Sequence, residues 1–504
     1  MANPNINNTV YPLADSQKPV EKDSTPVNLP ANIKPKRTDQ FVQYPKPSEI
    51  KPEEFVYKKK TGFNSKKAMK TFMSILSLAI ISVPLVFFFM KYNPFSKDKT
   101  VQKGEVVWWN LGGNETVLNE MIGEYSKKNP EAKIKLIVQS ETDYRERLTN
   151  SLKDNRGPDI FTIHNSWMPM FLEYLDVVPE SIYTLEEYSR IFYSVVSKDM
   201  RTSEGVVGIP LEYDALTLFI NEEMFSFSGK SAPATWDEFK VIAKDLTIRG
   251  ANNFILQSGA AMGSTDNVDY WPEILATLML QNKSNLDSPT GTGSYEAMVV
   301  FVEYNKTDKV WDTTLPDSTT AFAEGKVAMF FAPSRVAGEI NKLNPNLKYR
   351  TIELPQVRRD DPNEPKVSYS TYFVQSVWKK SGDKDLAWDF LKFLSSKESL
   401  EKINQNLTGI GDQKKAYPRI EMRDLLINDR VLGSVVALAP ISTSWYLADK
   451  TNDGVDGINT KINEEYKKTI NSIQIGKRGA ATENDPLLKA LTTSLRKILS
   501  SYNI

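Results

Sequence analysis

The chain has 504 residues, room for two to four folding units, with 63 basic and 63 acidic side chains, no cysteine and one histidine, His164. Zero net charge provides no global field for nucleic acid. The missing cysteines exclude disulfides, thiolate metal sites, a cysteine nucleophile and a lipidated cysteine. The single histidine excludes any two-histidine site and leaves Ser-His-Asp chemistry only through His164.

The first 70 residues are polar and hold nine of the 28 prolines, in runs such as PKRTD, YPKPSE and KPEE. Such a segment cannot bury enough apolar area to offset its chain entropy, so a disordered cytoplasmic tail is expected over 1–70. Thr71–Met90, TFMSILSLAIISVPLVFFFM, carries no charge. A helix of that length spans roughly 30 Å, a bilayer's hydrocarbon core, so one transmembrane helix is expected over 71–91. Lys58, Lys59, Lys60, Lys66, Lys67 and Lys70 precede it. Lys91, Lys97, Lys99 and Lys103 follow more sparsely with Asp98. The positive-inside rule then places the N-terminus in the cytoplasm and the C-terminal domain outside the cell membrane. About seventy residues before the apolar run, and no small-residue cleavage site after it, argue against a signal peptide. The uninterrupted uncharged run argues against a buried core helix. Residues 92–103 read as a linker, and 104–504 as an extracytoplasmic domain. An exported chain without cysteine is more usual for a bacterial surface protein than for a eukaryotic ectodomain.

EVVWW at Glu105–Trp109 reads as a strand running into the loop NLGGN. Val117, Leu118, Met121, Ile122 and Tyr125 follow at helical spacing, and Asn129-Pro130 stops that helix. AKIKLIV, 132–138, alternates as a second strand. Tyr144, Leu148 and Leu152 mark one helical face, and PDIFTI, 158–163, reads as a third strand. The β-α-β-α-β order implies parallel strands covered by helices on both faces, an α/β class. Ligands in such sheets lie beyond the carboxyl ends of the strands, here at Asn110–Glu115, Gln139–Asp143 and His164–Trp167. Further on, Thr235 and Glu238 form a capping box, residues 321–331 read as a helix end, a glycine turn and a buried strand, and DLAWDFLKFL is an amphipathic helix. A last helix is expected from Pro486 to Leu499.

Seven segments in order carry a family resemblance: VVWWNLGGNE with KKNPEAKIKLIV, GPDIFTIHNSW, VVGIPLEYDALTLFINEEMF, APATWDEFKVIAKDLT, DSTTAFAEGKVAMFFAPSRVAG, AWDFLKFLSSKESL and PISTSWYLAD. Together they resemble the extracellular solute-binding proteins of family 1, the maltose-binding type of ABC importer subunit. The resemblance implies a two-lobed periplasmic-binding-protein-like fold (type II) with a hinge and an interlobe cleft. It places crossings near Gly208–Asp214, Asp317–Ala323 and Ser370–Val377. Lobe one would hold about 104–210 and 322–372, and lobe two about 211–321 and 373–504.

A sugar needs aromatic plates for its C–H faces and fixed polar groups for its hydroxyls. Trp109 and Asn110 end the first strand, and Glu141 lies in the loop after the second. Asn165, Ser166 and Trp167 resemble the family's polar loop. Asp214 matches a hydroxyl-binding carboxylate, Tyr270-Trp271 an aromatic stretch of the second lobe, and Trp445 a tryptophan on which a sugar stacks. Tyr372, at the later crossing, completes the set. Relatives commonly carry a tryptophan where this chain has Arg335, a departure that puts maltose itself in doubt. Oligosaccharides, uronic acids and glycerol phosphates remain open. Trp236 and Trp388 sit at helical spacing and read as core.

The resemblance implies a membrane-anchored binding subunit that delivers a carbohydrate to ABC permease subunits. It would work as a monomer, without catalysis, cofactor, metal or nucleic-acid partner. Two alternatives stand beside it. One is a carbohydrate-active enzyme using Glu212 and Asp214, which face the same way at i,i+2. The other is a sugar-sensing receptor that signals through the cytoplasmic tail.

Overall fold

The computed structural model describes residues 103–358, 361, 364–476 and 485–504. The expected tail, the transmembrane helix at 71–91 and nearly all of the linker lie outside the described residues. Among the described residues no helix is long and apolar enough to cross a membrane.

The chain enters at β1 (Gly104–Leu111), where Val106 and Trp108 are buried and Val107 and Trp109 occupy the opposite, half-buried face. The helix Glu115–Lys128 starts on Asn114, whose side chain accepts from the Val117 N–H. It buries Val117, Leu118, Met121, Ile122 and Tyr125. β2 (Ala132–Gln139) lies parallel to β1, and after the helix Tyr144–Lys153 so does β3 (Ile160–His164). This is the expected β-α-β-α-β order.

The chain then enters a second core at β4 (Leu216–Asn221), every residue of which is buried. The helix Trp236–Asp245 follows, with the reciprocal Thr235–Glu238 capping box in place. A hairpin of β5 (Ile248–Arg249) and β6 (Ile255–Gln257) precedes β7 (Met329–Pro333) and β8 (Tyr349–Ile352), which flank β4 antiparallel in the order β7-β4-β8. After β9 (Ser368–Tyr369), β10 (Phe373–Val377) returns to the first sheet and pairs antiparallel with β3. That sheet reads β10-β3-β1-β2. The helices Lys384–Leu394 and Lys397–Gly409 cover it. β11 (Ser442–Thr443) pairs parallel with β9, and the helices Ile458–Gln474 and Pro486–Ser501 close the second core.

Two hydrophobic cores therefore define two lobes within one compact unit. The chain passes between them at Ala215–Leu216, between Tyr369 and Tyr372, and between Ala439 and Leu447. Two expected boundaries are corrected. Residues 322–372, expected in lobe one, contribute Phe322, Phe330, Tyr349 and Leu354 to lobe two, because β7 and β8 both pair with β4. Residues 373–439, expected in lobe two, belong to lobe one, because β10 pairs with β3. Asp317–Ala323 is no crossing; the helix Ser318–Ala323 buries Ala321 and Phe322 in the second core. A short buried strand carries no local mark of which sheet it joins, since that choice is a non-local pairing.

Candidate ligand-binding site

A cleft of about 460 Å³ lies between the lobes. Lobe one contributes the loop after β1, Glu141, Phe373 and residues 412–416. Lobe two contributes Tyr270, Ser334, Arg335 and Lys450. Two hydrogen bonds span the lobes at its edge: Gln413 Nε2 donates to the Ser334 carbonyl at 2.9 Å, and Asn452 Nδ2 donates to Glu141 Oε2 at 3.0 Å.

At the base sits Asp214, just before the first crossing. Its Oδ1 accepts from the Ala215 N–H (2.9 Å), the Ser334 N–H (2.8 Å) and the Ser334 hydroxyl (2.6 Å). Its Oδ2 accepts from the Arg335 N–H (3.0 Å) and Arg335 Nη1 (3.4 Å). The carboxylate thus caps the turn Ser334–Val336 that follows β7. Burial pushes its pKa up, while Arg335 and the Ser334 donors pull it back toward the ionised form. The Arg335 guanidinium also donates to the Thr371 carbonyl at 3.1 Å, which ties lobe two to the second crossing. It lies 5.8 Å from the Tyr270 ring centre and 5.9 Å from that of Phe373. Tyr270 has a left-handed backbone (φ 60°) and donates its N–H to Asp449 Oδ2 at 2.9 Å. Lys450 pairs with Asp269 at 2.9 Å and lies 5.9 Å from the Tyr270 ring centre.

Of the expected site residues, Glu141, Asp214, Tyr270 and Arg335 line this cleft. Asn110 lines a smaller adjoining cavity of about 60 Å³, where its Oδ1 accepts from Gln375 Nε2 at 2.9 Å. The others lie elsewhere. Trp109 sits half-buried on the far face of β1 from Trp108, packed against the lobe-one core. Asn165, Ser166, Trp167 and Tyr372 are buried at the hinge. Trp271 is buried in the second core. Trp445 donates its Nε1–H to Asp287 at 2.5 Å and packs on Tyr446 and Tyr466. Trp236 and Trp388 are core residues, the latter fully buried with its indole N–H on Asp176.

The hinge cluster is a closed network. Asp199 accepts from Asn165 Nδ2 (3.0 Å), the Tyr372 hydroxyl (2.8 Å) and the Ser444 hydroxyl (2.6 Å). Asn459, on the lobe-two helix Ile458–Gln474, accepts from the Ser166 hydroxyl (2.9 Å), the Trp167 indole N–H (3.2 Å) and the Thr451 hydroxyl (3.1 Å). His164 is buried between them. Its Nδ1 faces the Ser166 hydroxyl at 2.7 Å and the Ser166 N–H at 3.3 Å, and its Nε2 faces Thr371 Oγ1 at 3.0 Å. Burial, and then the charge of Arg335, hold its pKa well below 6.5, so the ring is neutral.

Glu212 and Asp214 both face the cleft, as their i,i+2 spacing predicts, and both are engaged by the protein. Glu212 is ion-paired with Lys415, and both Asp214 oxygens are filled. Sequence reasoning missed Gln413, Phe373 and Lys450. Lys450 directly follows PISTSWYLAD, but a lysine after an aspartate reads as a solvated charge.

A family model described as bacterial extracellular solute-binding protein matches residues 109–401. An uncharacterised ABC transporter extracellular-binding protein of Pyrococcus horikoshii is 21% identical over 411 residues, covering 75% of this chain and 89% of that protein. Among solved structures, a Listeria monocytogenes ABC substrate-binding protein in complex with cycloalternan superposes with a TM-score of 0.60 at 17% identity. The match covers 80% of this chain and 100% of that one. The Thermus thermophilus maltotriose binding protein bound with maltotriose gives 0.58 at 15% identity, over 78% of this chain and 100% of that one. At these identities the structural likeness is one of fold.

Proposed function

The chain belongs to the bacterial extracellular solute-binding proteins, and from that premise we propose that it is the substrate-binding subunit of an ABC importer, anchored in the cell membrane through residues 71–91. It captures a sugar or oligosaccharide between its lobes and passes it unaltered to permease subunits in the same membrane. The observation that carries this reading is the cleft itself: walls from both lobes, a base beside the crossing segments, and polar groups converging on it. Closure about such a hinge desolvates the ligand and aligns its hydroxyls. The relatives named above as binding cycloalternan and maltotriose support a carbohydrate as the solute class. Asp214, Arg335, Tyr270, Glu141 and Asn110 are the residues proposed to act at the site. The occupied carboxylates of Glu212 and Asp214 favour binding over hydrolysis.

The test is a thermal-shift screen of the full chain in detergent against a carbohydrate panel. A ligand that binds only the folded state raises the melting temperature. A panel of sugars with no effect would remove carbohydrate from the proposal. Protease treatment of intact cells checks the anchor: the domain 104–504 should be digested from outside and the tail protected.

A further inference from the structure

At the base of the cleft, unused donors of Arg335 stand beside a carboxylate, Asp214, whose two oxygens are both engaged. Other carboxylates of the cleft are also engaged by the protein: Asp214 takes five donors, Glu212 is held by Lys415, Glu141 by Asn452, and Asp412 by the Gln413 N–H at 2.8 Å. Among the described residues Glu339 on the rim, and the second oxygens of Glu141 and Glu212, take no donor. The cations are not used up in the same way. Arg335 uses its Nη1 for Asp214 and Thr371, and its Nε and Nη2 donors have no protein acceptor among the described residues. Lys450 has three donors; Asp269 is its ion-pair partner, and Asp449 and Glu339 also act on its charge. Lys342 on the rim has no acid within ion-pair distance among the described residues. The aromatic rings nearest the base, Tyr270 and Phe373, already face cations.

A neutral sugar hydroxyl donates as well as accepts, and its ring seeks a bare aromatic plate. At this base Asp214 has no oxygen to spare, and the Tyr270 and Phe373 rings already face cations. An oxyanion only accepts, and a guanidinium presents its donors in the planar fork that matches one. We propose that the solute is a sugar bearing an oxyanion, a carboxylate or a phosphate, received by the free edge of Arg335 with Lys450 beside it. This rests on the carbohydrate-capturing function proposed above and names its substrate class. Asp214 is then a positioning residue: it fixes the guanidinium and leaves the far edge exposed to ligand.

The test is calorimetry on the full chain in detergent with three probes: trigalacturonate, glucose 6-phosphate and maltotriose. At least one acidic probe should bind about tenfold or more tighter than maltotriose, and its affinity should fall as salt rises. Preference between the two acidic probes identifies the carboxylate or the phosphate as the group received. Arg335→Gln should cost the acidic ligand about tenfold more than it costs maltotriose. Should that variant fail to fold, Lys450→Gln, at a partly exposed position, should weaken the acidic ligand about threefold and flatten its salt dependence. Maltotriose binding as tightly as either acid, or acid binding indifferent to salt, overturns this inference and leaves sugar capture standing. No binding by any of the three overturns both.

Discussion

The hinge cluster and the cleft cluster are built from the same residue types and do different work. Around the hinge, Asp199 and Asn459 each gather three donors, and those donors come from segments on both sides of the crossings. In the cleft, Asp214 gathers five donors, but the cation it holds keeps donors of its own facing open volume. A polar network that closes on itself is a joint, since every buried group is satisfied and any change orphans one. A network that ends in a cation with donors to spare beside a cavity leaves those donors for a ligand.

Four substitutions break or sharpen this contrast. Asp214→Ala should have the largest effect. It leaves a buried arginine without its carboxylate and three N–H groups without this acceptor, at a cost of about 3–5 kcal/mol. Urea denaturation should show the loss together with abolished ligand binding; a change below about 1 kcal/mol would mean the pair does not organise the cleft. Asn459→Ala removes the shared acceptor of Ser166, Trp167 and Thr451, and should cost about 2–3 kcal/mol with ligand affinity little changed. A large loss of affinity at full stability would place the hinge cluster in the binding site after all. Trp445→Ala truncates a half-buried indole that packs on lobe two, so about 2 kcal/mol of stability should go. Its affinity for sugar should stay within about twofold, and a tenfold drop measured by calorimetry would return Trp445 to the site. The smallest effect is on pH dependence. Folded His164 refuses a proton that the unfolded chain binds below about pH 6.5, so stability should fall as pH drops through that value, by at most about 1.4 kcal/mol per unit. His164→Gln should flatten that limb; an unchanged slope would show the ring is protonated in the folded state.

The first sheet was readable because its periods are local. Val106 and Trp108 alternate with Val107 and Trp109, and the helix after them shows its buried stripe in the spacing Val117, Met121, Tyr125. The capping box at Thr235 was readable for the same reason. Lobe membership after residue 321 was not, because β7 and β10 are short, mostly buried strands whose address is set by partners more than a hundred residues away. The cleft was partly readable: Asp214 follows the first crossing, and Arg335 stands out as a charge after a buried strand. Asn165-Ser166-Trp167 has the composition of a binding loop, but in three dimensions it meets Asn459, which lies nearly three hundred residues away and signals nothing locally.

The central claim is that solute is held between the lobes, and the cysteine-free sequence permits a direct test of it. Glu141→Cys with Asn452→Cys places two thiols at positions that hydrogen-bond across the cleft edge, and a short bismaleimide joins them. The uncrosslinked double variant should gain thermal stability from at least one neutral or acidic oligosaccharide in a panel, and the crosslinked form from none, because its cleft can no longer open. A panel that leaves the uncrosslinked form unmoved, or a shift that survives crosslinking undiminished, would contradict capture between the lobes.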